Sequence, residues 1–415
     1  MFGTLLPEII DIIFSYVPIG LLKPLTDIPK LPPNLRFLTL DSADYFADQW
    51  NRVCPQLVEL KFKRAHNITG LRVDETSKVP ANVAHSEIPL YFLCPGLVDF
   101  FCSPRRRHKG TLPSGVRELT VIGNENTGKE AVLDVDTDQC SNLERLCARN
   151  VELLTIGVQN LRTLTVLEIK NLPLFDLHQL AYLHNLTDLV AGGDLHSESF
   201  SYILPNSLKN LRLAGCGLTR VFINAPNIVS LDLVQSNFEK VCKDRFIIPP
   251  GIKRLNLALS SIAEIAKDED IFPNGLETLN LTRNSLRRIT GLPSLLKKLD
   301  VGSNPCRSDS AVFPTGLESL DVSDCLHDNA WLQNLNLAST NIKDLDITGN
   351  QFSTLDLGTL PRTLVKLMAS DAKISEITKT HCGSIFEMLL GKETPSLKTA
   401  LDIWISSRLT YECVT

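Results

Sequence analysis

Apolar residues return along this chain in one phrase, LxxLxLxx closed by Asn or another small residue, and its clearest run extends from Leu208 to Ile374. The members are Leu208, Leu211, Leu213 and Cys216; Ile228, Leu231, Leu233 and Ser236; Ile252, Leu255, Leu257 and Ser260; and Leu276, Leu279, Leu281 and Asn284. They continue with Leu296, Leu299, Val301 and Asn304; Leu317, Leu320, Val322 and Cys325; Ile342, Leu345, Ile347 and Asn350; and Leu364, Leu367, Ala369 and Ala372. Subtracting successive first positions gives steps of 20, 24, 24, 20, 21, 25 and 22 residues. The central L-x-L of each phrase has the period of a strand, with two apolar side chains on one face and a polar one between them on the other. One such unit cannot bury its face alone, so the pattern predicts a parallel stack sharing a continuous core. The small polar residue closing each phrase falls where the chain leaves the strand, placed to satisfy backbone groups the turn leaves unpaired.

A repeat of roughly 20 to 29 residues with this phrase is the signature of leucine-rich repeats. The expected fold class is therefore an α/β solenoid, a leucine-rich-repeat horseshoe with a parallel concave sheet, an N-terminal helix and a C-terminal helical cap. At 415 residues the chain exceeds what one globular core usually serves, which also favours an elongated array.

Upstream the phrase is weaker. It is visible at Leu35, Leu38 and Leu40 and at Leu57, Leu60 and Phe62, blurs between Gly70 and Pro113 with a degenerate copy at Leu97, and resumes at Val116. Further weak copies start at Leu143, Leu164 and Leu186, with Leu167 and Ile169 forming the best strand among them. An additional match at Leu332, Leu335 and Leu337 begins only 10 residues before Ile342, which leaves the strand register over 330–350 open. The expected division is a terminal helix over 1–20, repeats over 31–374 and a cap over 375–415. The repeats are irregular over 31–200, with a loop insertion at 70–113, and regular over 208–374. In the cap, Leu397, Leu401, Trp404 and Ile405 stand at helical spacing.

Residues Leu6 to Val17 read as an amphipathic helix: Pro7 suits its first turn, Glu8 favours its N-terminus, and Ile9, Ile10, Ile13, Phe14 and Val17 make an apolar stripe. The run LPEIIDIIFSYVP resembles the first helix of the F-box, with Leu6, Pro7, Glu8, Ile9, Ile13, Phe14, Ser15 and Tyr16 matching. That resemblance implies docking of Leu6, Pro7, Ile9, Ile13 and Phe14 onto a Skp-type adaptor of a cullin-RING ubiquitin ligase. The later F-box helices, with their Leu-Arg-x-Val-Cys-x-x-Trp run, have no counterpart; LLKPLTDIPKLPPNL stands in their place. A helix that only caps the first repeat accounts for the same residues, as terminal units of solenoids require.

The net charge of -5 argues against a generic nucleic-acid face, and no apolar run reaches the roughly 18 residues of a membrane span. The first 20 residues carry Glu8 and Asp11 without a basic start, unlike a secretory leader. The 11 cysteines include no CxxC pair, so neither a disulfide framework nor a zinc site is indicated. The expected location is cytoplasmic or nuclear. The basic run Arg105, Arg106, Arg107, His108 and Lys109 reads as a solvated loop, with a nuclear address or an acidic-partner contact as the alternative.

Two motifs imitate ligand sites. Gly123 to Lys129, GNENTGK, has phosphate-loop spacing and follows a strand-like Glu118–Ile122, but Glu130 replaces the hydroxyl residue that would hold magnesium. Asp134, Asp136 and Asp138 imitate a calcium loop, but Gln139 and Arg145 occupy the positions that need Gly and Glu; an acidic turn accounts for them. No nucleophile elbow or metal-spaced histidine pair occurs, so no catalytic residue, metal site or cofactor is expected. What remains is the residue between the inward leucines. Read down the regular half it forms a column of Arg212, Asp232, Asn256, Asn280, Asp300, Asp321, Asn336 and Asp346, then Met368. Such a polar, acidic concave face suits a protein client with basic or hydrogen-bonding groups. The reading is a non-enzymatic protein-interaction module, serving either as the substrate-recruiting subunit of a ubiquitin ligase or as a scaffold with no ubiquitin link. A nucleotide-binding enzyme is the remaining alternative.

Overall fold

The computed structural model describes residues 37–40, 59–62, 99–102, 108–111, 117–122, 132–136, 142–150, 153–156, 161–171, 176–193, 195, 197–266, 270–306, 312–335, 337–370, 374–378 and 387–389. The terminal helix over 1–20, Gly123 to Lys129, Asp138, Asn336 and the cap residues Leu397, Leu401, Trp404 and Ile405 lie outside this set; within the span expected as a helical cap, Glu376–Thr378 and Glu387–Leu389 are strands. The chain divides into two compact units, 1–196 with 202–208, and 197–201 with 209–415.

In the first unit, parallel strands pair in chain order: Phe37–Leu40, Glu59–Phe62, Asp99–Cys102, Glu118–Ile122, Arg145–Arg149, Val166–Lys170 and Asp188–Gly192. The ladder thus passes through the 70–113 segment, where Asp99–Cys102 forms a rung next to the degenerate copy at Leu97. The basic run there is not wholly a loop. His108–Thr111 is a strand, paired in a second, shorter ladder with Val132–Asp136, which pairs in turn with Leu153–Ile156. Asp134 and Asp136 therefore sit on a strand where a turn was expected.

In the second unit the main ladder runs through Asn210–Ala214, Ser230–Asp232, Arg254–Asn256, Thr278–Asn280, Lys298–Asp300, Ser319–Asp321, Asp344–Asp346, Lys366–Met368 and Glu387–Leu389. The flanking leucines of each phrase are buried and the residue between them is half-exposed, or exposed at Arg212, as period 2 requires. The register ambiguity resolves in favour of Ile342: Asp321 is paired directly with Asp346, leaving no rung for Asn336. The competing phrase belongs to a short helix, Asn329–Asn334, capped by Asp328, whose carboxylate accepts from the N–H of Trp331 at 3.0 Å. Trp331, Leu332 and Leu335 are all buried, because residues three and four before Leu335 share its face on a helix.

Several turns of the second unit leave the ladder through one polar device. The Asn350 amide donates to the carbonyls of Val322 and Ile347, both at 2.9 Å, while its oxygen accepts from the N–H groups of Cys325 and His327 at 3.2 and 3.0 Å. Asn284 and Asn304 bridge their own and the preceding turn in the same way. Ser260 reaches the carbonyl of Leu233 at 3.1 Å and Cys325 that of Val301 at 3.4 Å with fewer bonds. All of these residues are buried.

A second apolar pair follows five of the polar rungs: Leu218 with Val221, Phe238 with Val241, Ile262 with Ile265, Leu286 with Ile289, and Phe352 with Leu355, all buried. Several of these segments form short flank ladders. Arg220–Phe222 pairs with Ser199–Phe200 and Phe246–Ile247, Lys240–Val241 with Glu264–Ile265, and Thr354–Asp356 with Glu376–Thr378.

Candidate functional site

The column that the phrase predicts is in strict register in the second unit: Arg212, Asp232, Asn256, Asn280, Asp300, Asp321, Asp346 and Met368 are successive partners across the ladder. Asn336 is not part of it. In the first unit the equivalent positions are Thr39, Lys61, Phe101, Thr120, Cys147, Glu168 and Val190, so the run of aspartates and amides is confined to the second.

Backbone demand explains much of this composition. The Oδ1 atoms of Asp232, Asn256, Asn280, Asp321 and Asp346 each accept the N–H two residues on, at 3.1, 3.1, 2.9, 2.9 and 2.9 Å. These are Asx turns at the strand exit, which either Asp or Asn can make. Asp232 is further occupied by Arg212 at 3.3 Å and by the Asn256 amide at 3.0 Å. Asp300 pairs with Lys298 at 3.5 Å. Asp321 and Asp346 make no ion pair among the described residues, so each keeps one carboxylate oxygen for a partner.

The neighbouring column, two residues earlier, reads Asn210, Ser230, Arg254, Thr278, Lys298, Ser319, Asp344 and Lys366 in the same register. The face is therefore mixed, with basic side chains beside the aspartates, and is less uniformly acidic than the single column implies. Burial pushes the Asp300 carboxyl above the usual carboxylate range; Lys298 pulls it down and Asp321 on the next rung pushes it up. Desolvation outweighs the ion pair because Asp300 is mostly covered while Lys298 is half-exposed.

One position before this second column, Lys253, Glu277, Lys297, Glu318 and Lys343 alternate in sign along the turns. Glu277 meets Lys253 at 3.4 Å and Lys297 at 2.8 Å, and Glu318 meets Lys343 at 2.8 Å. Hydrogen bonds from Lys297 and Lys343 hold Glu277 and Glu318, respectively, below the usual carboxylate range.

Among the described residues no group of three or more His, Cys, Asp or Glu is placed to hold a metal ion, and no helix is long and apolar enough to cross a membrane. Cys306 and Cys325 lie buried in neighbouring turns, each thiol donating to a backbone carbonyl. Their contact with one another, together with burial, raises the Cys306 pKa. His327 stacks on Trp331 with ring centroids 3.6 Å apart.

Comparison with solved structures settles the class of the fold. The circular leucine-rich-repeat protein CroV588 matches with a TM-score of 0.54 at 15% identity, over 88% of this chain and 58% of that one. The fold is that of a leucine-rich-repeat protein. TLR13 in its complex with ssRNA13 matches with a TM-score of 0.52 at 17% identity, over 92% of this chain and 68% of that one. YopM from Yersinia enterocolitica matches at 0.46 and 18%, over 87% and 76%. The sequence matches no family model, and no curated protein is similar to it.

Proposed function

We propose that this leucine-rich-repeat chain is a protein-recognition module, not an enzyme, and that its partner docks on the main ladder of the second unit. The observation that carries the reading is the in-register, solvent-facing pair of polar columns, one of which holds Asp321 and Asp346, whose carboxylates are not spent on ion pairs among the described residues. A partner presenting basic and hydrogen-bonding groups fits this surface, with charge serving mainly association rate and specificity. The residues proposed to contact it are Arg212, Asp232, Asn256, Asn280, Asp300, Asp321 and Asp346. Asp321 and Asp346 have the largest share, because Asp232 is already engaged by Arg212, Val234 and Asn256.

The test is affinity capture followed by quantitative mass spectrometry, comparing the wild-type chain with an Asp232→Asn, Asp300→Asn, Asp321→Asn, Asp346→Asn variant. Partners of this face should be lost from the variant, and the double change at Asp321 and Asp346 should account for most of the loss. Unchanged capture at low salt would place recognition elsewhere.

The F-box-like opening supports a refinement in which residues 1–20 tether the module to a Skp-type adaptor, making it the client-recruiting arm of a ubiquitin ligase in the cytoplasm or nucleus. Deleting 1–20 should then abolish binding of a purified adaptor with little change in melting temperature. A large drop in melting temperature with no adaptor binding by the intact chain would make the segment a cap.

A further inference from the structure

The turn from Ile252 to Gly275 is 24 residues long and the next, from Leu276 to Leu295, only 20. The two stay together as far as the Ser285 N–H, which donates to the Ile262 carbonyl at 2.8 Å. Beyond that bond they part. On its other side the flank strand Glu264–Ile265 is paired with Lys240–Val241, and the N–H groups of Ala263 and Ala266 donate to the carbonyls of Glu239 and Val241 at 2.7 and 3.0 Å. Toward the shorter turn no backbone N–H among the described residues reaches the carbonyl of Ala263 or Ile265. The flank ladder ends there with an open edge, although Arg288 and Ile289 occupy the positions that would have continued it.

The gap is a cleft of about 700 Å³ lined by Ala263, Glu264, Ile265, the segment 287–291 and Val312. Its size is that of a ligand site. Ile265 and Ile289 are buried at its base, whereas Val312 is 83% exposed. The charge in the lining is one-sided. Glu264 is neutralised by Lys240 at 3.0 Å, whereas Arg287 and Arg288 form no ion pair among the described residues. The cleft therefore presents two carbonyl acceptors two residues apart on a strand edge, together with two guanidinium groups that have no ion pair among the described residues.

We propose that this cleft is a second binding site, for an extended acidic peptide whose backbone N–H groups meet the carbonyls of Ala263 and Ile265 and whose carboxylates meet Arg287 and Arg288. An extended strand places alternate N–H groups at the spacing the open edge requires, and strand addition to such edges is a general mode of peptide recognition. A free phosphate satisfies the arginines but has no row of donors for the carbonyls. The planar donor fork of arginine suits carboxylates in pairs. This site lies on the flank ladder and is independent of the polar columns of the main ladder.

The experiment titrates the full-length chain into a fluorescein-labelled hexaglutamate peptide at low salt and follows anisotropy. Saturable one-to-one binding that weakens as NaCl rises is expected, with Arg287→Ala/Arg288→Ala at least tenfold weaker at an unchanged melting temperature. The same peptide N-methylated at alternate residues should also bind the wild-type chain at least tenfold more weakly, a comparison that needs no mutant to fold. The four-aspartate variant should bind hexaglutamate at least as well as wild type, which separates this site from the main-ladder reading. Absence of saturable binding, double-variant affinity within twofold of wild type, or equal affinity for the N-methylated peptide would each overturn the proposal. The last result would reduce the contact to surface charge, as would inorganic phosphate competing at the same concentration as the peptide.

Discussion

A left-handed residue recurs three positions after the column in every described exit from the regular ladder through Gly349. Gln235, Leu259, Arg283, Ser303 and Asp324 have φ of 59, 57, 56, 56 and 53°, and Gly215 and Gly349 have 66 and 68°. Ordinary side chains in this region cost about 1 to 2 kcal/mol, and Asn tolerates it better than Leu. Leu259→Asn is thus expected to stabilise by about 0.5 kcal/mol, read as a rise in melting temperature. Gly349→Ala should do the reverse, since the added methyl meets the Asp324 carboxylate as well as the unfavourable φ. Removing a polar rung should cost more. Asn284→Ala strands the N–H groups of Ser260 and Ile262 and two carbonyls in the interior, for an expected loss of about 3 kcal/mol in denaturant unfolding. Asp300 supplies a pH signature. Its folded pKa is raised, so the ionised carboxylate destabilises the fold, fully above that raised value and not at all below the ordinary range near pH 4. Asp300→Asn should therefore raise stability at pH 7, with the gain fading as the pH falls toward 4.

Among the elements, the eight strands were legible because L-x-L alternation and a recurring small polar residue encode both the inward face and the exit. At Leu332–Leu335 legibility failed: a spacing of three is shared by the repeat phrase and by one helical turn, and the Asp328 cap, visible three residues before Trp331, selects the helix. Asp328→Ala should cost about 1 kcal/mol by melting. The flank ladders were missed although a second apolar pair, Phe238 with Val241 or Ile262 with Ile265, is present in each of those repeats, because its members stand three residues apart and carry no period-2 alternation. Of the candidate site, the column and its register were readable. What was not readable is that its acidity is offset by Arg254, Lys298 and Lys366, because a neighbouring column becomes visible only once adjacent strands are paired, and that Asx turns use half of its oxygens.

For the molecule as a whole, stability in a stacked array is close to a sum over turns and their interfaces. Leu279, with no exposed surface, lies at the interface of two neighbouring turns. Leu279→Ala is expected to cost about 3 kcal/mol, and hydrogen exchange should show the loss concentrated in the strands around 254–256 and 298–300. A compact globular core would spread the loss through the whole domain.

The bridging asparagines also give the array a mechanical character. Asn284, Asn304 and Asn350 each hold carbonyls of two successive turns, whereas the rungs at Ser236 and Cys325 hold fewer. Pulled from its ends, the second unit should yield in steps of one turn, with rupture force varying along the chain as rivet strength varies along a seam. In an optical trap, Asn350→Ser should lower the force of one step and leave the others where they were.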